Sequence, residues 1–278
     1  MNYFQFLNDI IANFRVSKMI EIVKIEQDTD NDDLLVIAYE ATRALIVVAN
    51  YKEKPVIEMP LIQGFAQLDF VKQIIGLEEY ARQQEEKVVA QSKNDEDEAQ
   101  SGKKVKSSAK PAVAKQQSSV KFKKNDDDIA IETHFKIGNT SIKSKNVAQS
   151  LLPETPRKLS GFVPDFEFEF DDDLIQDILR KLSLSIFNAN VFVTKSNKGE
   201  LSLRLTNDVD VVDIDLPFSL DEDVLTDPFK IDLDRFLSIL KIGSGGIKFA
   251  ISGKQNLARI IKDTDIAEYK YFLIKKAT

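Results

Sequence analysis

The residues of this chain best suited to chemistry are its acids, several of which stand in short runs. Asp126–Asp128, Asp171–Asp173 and Asp221–Asp223 each place three carboxylates in succession. Clustered carboxylates can bind Mg²⁺ and could serve a metal-dependent nuclease. Against that use, Asp171–Asp173 opens a helical pattern, where acids cap backbone N–H groups and complement the helix dipole. Asp221–Asp223 falls in a predicted loop, and no basic group able to activate a nucleophile accompanies either run. Cys is absent, which removes thiolate metal sites, cysteine nucleophiles and disulfides. His134 is the single histidine, so a multi-histidine metal site cannot form within one chain. Neither a metal, a cofactor nor catalysis is expected.

The second kind of chemistry belongs to bases scattered over four short helical patterns. On Asp172–Leu184 (DDLIQDILRKLSL) the apolar stripe is Leu174, Ile175, Ile178, Leu179 and Leu182, which leaves Asp177, Arg180 and Lys181 toward solvent. On Asp232–Lys241 (DLDRFLSILK) the stripe is Leu233, Phe236, Leu237 and Leu240, so Arg235 and Lys241 point away from it. The earlier helices offer Arg15 and Lys18 on Leu7–Lys18, and Lys72 on Gly64–Leu77. Asp9, Asn13, Asp69, Gln73, Asp177 and Asp234 share these faces, which makes them only mildly positive. Such faces suit weak, sequence-independent attraction to phosphates. For any one base, an ordinary solvated helix face is the plainer reading. The formal charge of −7 and pI near 5.0 indicate an acidic surface. They leave room for a few bases on an inner one.

The elements that carry these helices come in two copies. Phe166–Phe170 (FEFEF) alternates as a strand and leads into the Asp172–Leu184 helix; Tyr3–Phe6 (YFQF) leads in the same way into Leu7–Lys18. Three strand-like runs follow each helix: Met19–Gln27, Leu34–Tyr39 and Ala44–Tyr51, then Asn190–Thr194, Leu201–Thr206 and Val211–Leu216. Pro55–Leu61 and Pro228–Ile231 begin further strands ahead of the second helices. Ile247–Ser252, Leu257–Lys262 and Tyr269–Lys275 complete the second copy.

The offsets locate an insertion. Pro55 matches Pro228 at 173 residues, but Val120 (SVKFKK) matches Ile247 (GIKFAI) at only 127, so the first copy carries about 46 extra residues. Glu78–Ser119 is nearly free of aromatics. Its first part, to Gln91, can extend the helix, and Ser92–Ser119 has no apolar face to bury and is expected to be disordered. Ser150–Pro164 (SLLPETPRKLSGFVP) holds three prolines and reads as an extended connector. The expected organisation is α+β: a domain at 1–149 with its insertion at 78–119, a connector at 150–164, and a similar domain at 165–278.

Pro228–Leu240 (PFKIDLDRFLSIL), Ile247–Gly253 (IKFAISG), Leu257–Ile261 (LARII) and Tyr269–Ile274 (YKYFLI) stand in the order and spacing of the C-terminal segment of a DNA sliding clamp. Outside the insertion, nearly the whole chain resembles this family of processivity factors, related in fold to proliferating cell nuclear antigen and the bacterial beta clamp. Size and the two-domain plan are similar to the clamps of large tailed bacteriophages, which are trimers. The resemblance implies a homotrimeric ring whose helices, with Arg15, Lys18, Lys72, Arg180, Lys181, Arg235 and Lys241, line a hole around double-stranded DNA. It implies a polymerase and a clamp loader as partners. Their tails would enter a pocket bordered by Leu151, Leu152, Leu159, Phe162 and Val163, with Tyr271 and Phe272 as its floor. A virion or interaction scaffold built from the same duplicated domain is the non-clamp alternative. No apolar run reaches the ~20 residues that span a bilayer, and MNYFQFLNDI lacks the basic flank of a signal peptide. A cytoplasmic protein without membrane partners is expected.

Overall fold

The computed structural model describes residues 1–28, 33–100, 118–154, 161–183, 190–206, 211–243 and 245–276. Four successive units repeat one order. Helix α1 (Tyr3–Phe14) precedes β1 (Ile20–Asp28), β2 (Asp33–Glu40) and β3 (Leu45–Tyr51). Strand β4 (Ile62–Ala66) leads into α2 (Leu68–Gln100), then β5 (Ser119–Lys124), β6 (Ala130–Ile137) and β7 (Thr140–Lys145). The third unit is β8 (Phe166–Phe170), α3 (Asp172–Ser183), β9 (Asn190–Lys195), β10 (Glu200–Thr206) and β11 (Val211–Ser219). The fourth is β12 (Phe229–Asp232), α4 (Leu233–Leu240), β13 (Ile247–Ser252), β14 (Leu257–Asp263) and β15 (Ala267–Ile274).

The strands make three antiparallel sheets. One has eight strands in the order β4-β1-β2-β3-β15-β14-β13-β8; the others are β11-β10-β9-β12 and β5-β6-β7. The eight-stranded sheet is continuous across the two halves because β3 pairs with β15, from Leu45 opposite Leu273 to Tyr51 opposite Ala267. In three units the leading strand caps the first strand after another unit's helix: β4 on β1, β8 on β13, β12 on β9. Among the described residues β5 pairs with β6 alone.

Three local expectations are corrected. The chain is helical from Tyr3, with no strand over Tyr3–Phe6. Asn2 accepts from the Gln5 backbone at 2.8 Å while the Gln5 side chain accepts from Asn2 N–H at 2.9 Å, a reciprocal cap that starts the helix four residues early. Pro55–Leu61 is not a strand, because Pro55 and Pro60 lack the N–H a ladder needs; β4 forms just after it, so Gly64 is in a strand and α2 begins at Leu68. Helix α2 also runs on to Gln100, beyond the expected Gln91. The rest of the region expected to be disordered, up to β5, falls almost entirely outside the described residues.

All four helices bury their apolar stripes in the main core, against strand residues such as Val36, Val47, Tyr51, Val193, Phe249, Tyr269 and Tyr271. Helix α1 lies beside α2, and α3 beside α4. Asp9 and Asn13, expected toward solvent, instead face the sheet at the β3–β15 seam. Tyr51 donates to Asp9 Oδ2 at 2.6 Å, Tyr269 donates to the same oxygen, and Tyr271 donates to the Asn13 carbonyl at 3.2 Å. Burial, reinforced by the Asp9 carboxylate, holds the Tyr51 and Tyr269 hydroxyls well above the ordinary phenol pKa. Asp9→Ala strands two buried donors and should cost about 2–3 kcal/mol in urea unfolding. Repeating it with Tyr51→Phe and Tyr269→Phe, where no donor is orphaned, should recover part of that loss.

Candidate functional site

The helical layer carries the basic candidates in two groups. Arg15, just past the end of α1, donates to Asp69 on α2 at 2.6 Å; Lys72 on α2 is exposed, and so is Lys18, which falls in the turn before β1 because α1 ends at Phe14, short of its expected end. On the α3–α4 pair, Arg180 and Lys181 on α3 and Lys241, capping the end of α4, are exposed. Lys181 pairs with Asp177 at 2.6 Å, one turn earlier. These faces therefore hold charges of both signs, as the sequence indicates. The acids at the helix starts have structural partners: Asp171 accepts from Leu174 N–H at 2.8 Å, Asp172 from Gly245 N–H at 2.8 Å, and Asp232 from Arg235 N–H at 3.0 Å. Among the described residues no three metal-capable side chains converge.

Arg235 does not join the exposed group, a correction to its expected place. Its side chain is 14% exposed and donates to Glu40 at 2.7 Å and Asp232 at 2.6 Å. Glu40, at the end of β2, is fully buried and also accepts from Ser17 at 2.5 Å and Thr42 at 2.7 Å. Burial alone would raise the Glu40 carboxyl; the hydrogen bonds from Arg235, Ser17 and Thr42 outweigh it and hold the group below its ordinary pKa. Lys276 adds a bond to Asp232 at 2.7 Å. The helical period placed Arg235 beside the buried stripe, and nothing local to it identifies Glu40, 195 residues away, as its partner.

The connector candidates separate in the same way. Leu151 and Val163 are exposed, at 66% and 70%. Leu152 is buried over Gly64, where an added Cβ would fall 2.1 Å from its Cδ2, so only glycine fits beneath it. Leu159 lies outside the described residues. Phe162 is buried in a small second cluster with Phe272 and Ala250, flanked by Ile46, Val48 and Leu257. Its ring meets Phe272 edge-on at 6.1 Å and the Arg259 guanidinium at 4.3 Å. Gln255 fixes the backbone alongside, accepting from Val163 N–H and donating to the Gly161 carbonyl at 2.9 Å. Phe162 thus pins the connector to the face of the sheet opposite the helices. Tyr271 cannot share that face, because its hydroxyl reaches Asn13 on the helical side; only Phe272 does. Beside Phe162, in the cross-strand row Tyr39–Ile46–Phe272, Tyr39 and Ile46 are half-buried next to the buried Phe272.

Two charged surfaces escaped the sequence reading. On the sheet β5-β6-β7, Lys121, Lys123, Lys136, Lys143 and Lys145 are all exposed. On β11, Asp213 and Asp215 are exposed, with Val211 and Val212 beside them at 59% and 42%. The signal was present as alternating lysines in SVKFKK and TSIKSK.

No protein-family model and no curated protein matches the sequence. Solved structures do. The PCNA of A. fulgidus, in a structure with the C-terminal region of FEN-1 bound to it, is 12% identical with a TM-score of 0.59, over 100% of this chain and 97% of that one. A chain of the PCNA2–PCNA3 complex from Sulfolobus tokodaii matches at 12% identity and the same TM-score, over 98% and 97%. From end to end, this chain has the sliding-clamp fold.

Proposed function

We propose that the chain is a ring-forming sliding clamp that encircles duplex DNA and tethers a DNA polymerase, placed on DNA by a clamp loader. Residues 1–149 and 165–278 would be its two clamp domains. Three copies would close the ring in the manner of the clamps of large tailed bacteriophages, acting in the host cytoplasm. The observation that carries this reading is the fold match over the entire chain. A ring retains DNA by topology, so its lining needs only weak phosphate contacts, and tight ones would slow sliding. The mixed-sign helix faces with Lys18, Lys72, Arg180, Lys181 and Lys241 suit that need.

Open sheet edges supply a means of closure. Adding β11 of one copy antiparallel to β7 of the next would set outward Asp213 and Asp215 beside outward Lys145 and Lys143. Partner tails would dock on the row beside Phe162, where apolar anchors dominate such binding.

Loaded on nicked circular duplex, the protein should stay bound through a salt wash and leave when the circle is cut. Equal retention on linear DNA would sink the clamp reading. Lys18→Glu, Lys72→Glu, Arg180→Glu and Lys241→Glu together should lower processive synthesis at least tenfold with assembly unchanged. Arg235 is left intact in that variant because its loss would destabilise the fold through Glu40. Phe162→Ala should free the connector to proteolysis and weaken tail-peptide binding.

A further inference from the structure

We propose that the outer edge of β5 docks an extended segment of a partner protein in which apolar and acidic residues alternate. The other three units show what caps the equivalent strand: β4 on β1, β12 on β9 and β8 on β13. Among the described residues nothing pairs with the corresponding edge of β5. Unpaired strand edges are templates for strand addition.

The side chains along β5 define the occupant. Lys121 and Lys123 are exposed and point to one face, in rows with His134 and Lys143 and with Glu132 and Lys145. Glu132, the acid in these rows, is engaged by His134 at 2.6 Å. On the opposite face Val120 is buried and Phe122 meets Tyr3 edge-on at 5.4 Å. A fourth strand continuing this pattern needs acids on one side and apolar residues on the other.

The molecule already contains such a pairing. Strand β8 (FEFEF) caps β13 with Glu169 opposite Lys248 and Phe168 opposite Phe249. The same chemistry read against β5 sets glutamates beside Lys121 and Lys123 and phenylalanines beside Phe122. Residues 101–117 of the chain hold five lysines and no acid. Their charge repels this edge, so the occupant comes from another protein. The proposal concerns β5 and stands apart from ring closure at β7.

The test uses the full-length protein and a capped synthetic peptide of the β8 sequence, DFEFEFD. Hydrogen exchange should slow at least tenfold in β5 when the peptide is added. Lys121→Glu with Lys123→Glu should weaken peptide binding at least tenfold, and so should N-methylating alternate peptide amides. Four results would overturn the proposal. They are no protection at β5, protection at β13 instead, undiminished binding of the N-methylated peptide, or equal β5 protection by an oligothymidylate, which would mark a surface for nucleic acid.

Discussion

Reversing the charges on β11, with Asp213→Lys and Asp215→Lys, is expected to reduce the proposed ring to single chains. The variant would oppose four like charges at every junction, two lysines on β11 to Lys143 and Lys145 on β7. Like-charge juxtaposition across an interface costs several kcal/mol, which corresponds to an assembly constant weakened by about 10²–10³-fold. Folding should be little affected, because the intrachain partner of Asp213, Arg204 at 2.7 Å, forms an exposed pair of small value. Adding Lys143→Asp and Lys145→Asp to the same chain should restore the assembly, since every junction then carries the pair in reverse. Sedimentation velocity reads both outcomes. An unchanged mass for the β11 variant would remove these strands from the contact.

Arg235→Ala should be among the most damaging single substitutions in the chain. It leaves the fully buried Glu40 carboxylate without its guanidinium and strips Asp232 of one of two cations. Orphaning one member of a buried ion pair costs about 3–5 kcal/mol. Replacing both partners, Arg235→Met with Glu40→Gln, should recover much of this, because no charge is then stranded. Acid titration supplies a second readout. Glu40 and Asp232 both have carboxyls held below their ordinary pKa in the folded state; for each, burial is outweighed by hydrogen bonds and nearby cations. Their contribution is complete above the unfolded carboxylate range, about pH 4, and is lost as pH falls through the lower folded values. The Met/Gln variant should therefore lose stability less steeply below about pH 4. A wild-type protein that tolerates Arg235→Ala within 1 kcal/mol would contradict the network.

Much of the fold was legible because the strands are short runs rich in β-branched residues bounded by turn residues, and the apolar stripes of α3 and α4 follow helical spacing. The misreadings have local causes. YFQF looks like a strand until the Asn2–Gln5 cap is weighed, and PVIEMPL looks like one until its prolines are counted against the ladder. The site was less legible than the fold. A helical period separates inside from outside, but it cannot say that Asp9 sits under Tyr51 and Tyr269, or that Arg235 lies over Glu40. Those partners come from the other half of the chain. Strand alternation should have separated Tyr271 from Phe272, which the expected pocket floor joined; the position of Phe162 shows that Phe272 is the one facing the connector.

The pairing of β3 with β15 also sets a timetable. Residue 45 finds its neighbour only once residue 273 has left the ribosome, so the early half waits through most of synthesis with a naked apolar border. Messages cut short before Ala267 would release chains that cannot seal that border. Until then the β3 edge stands open to pairing with other chains.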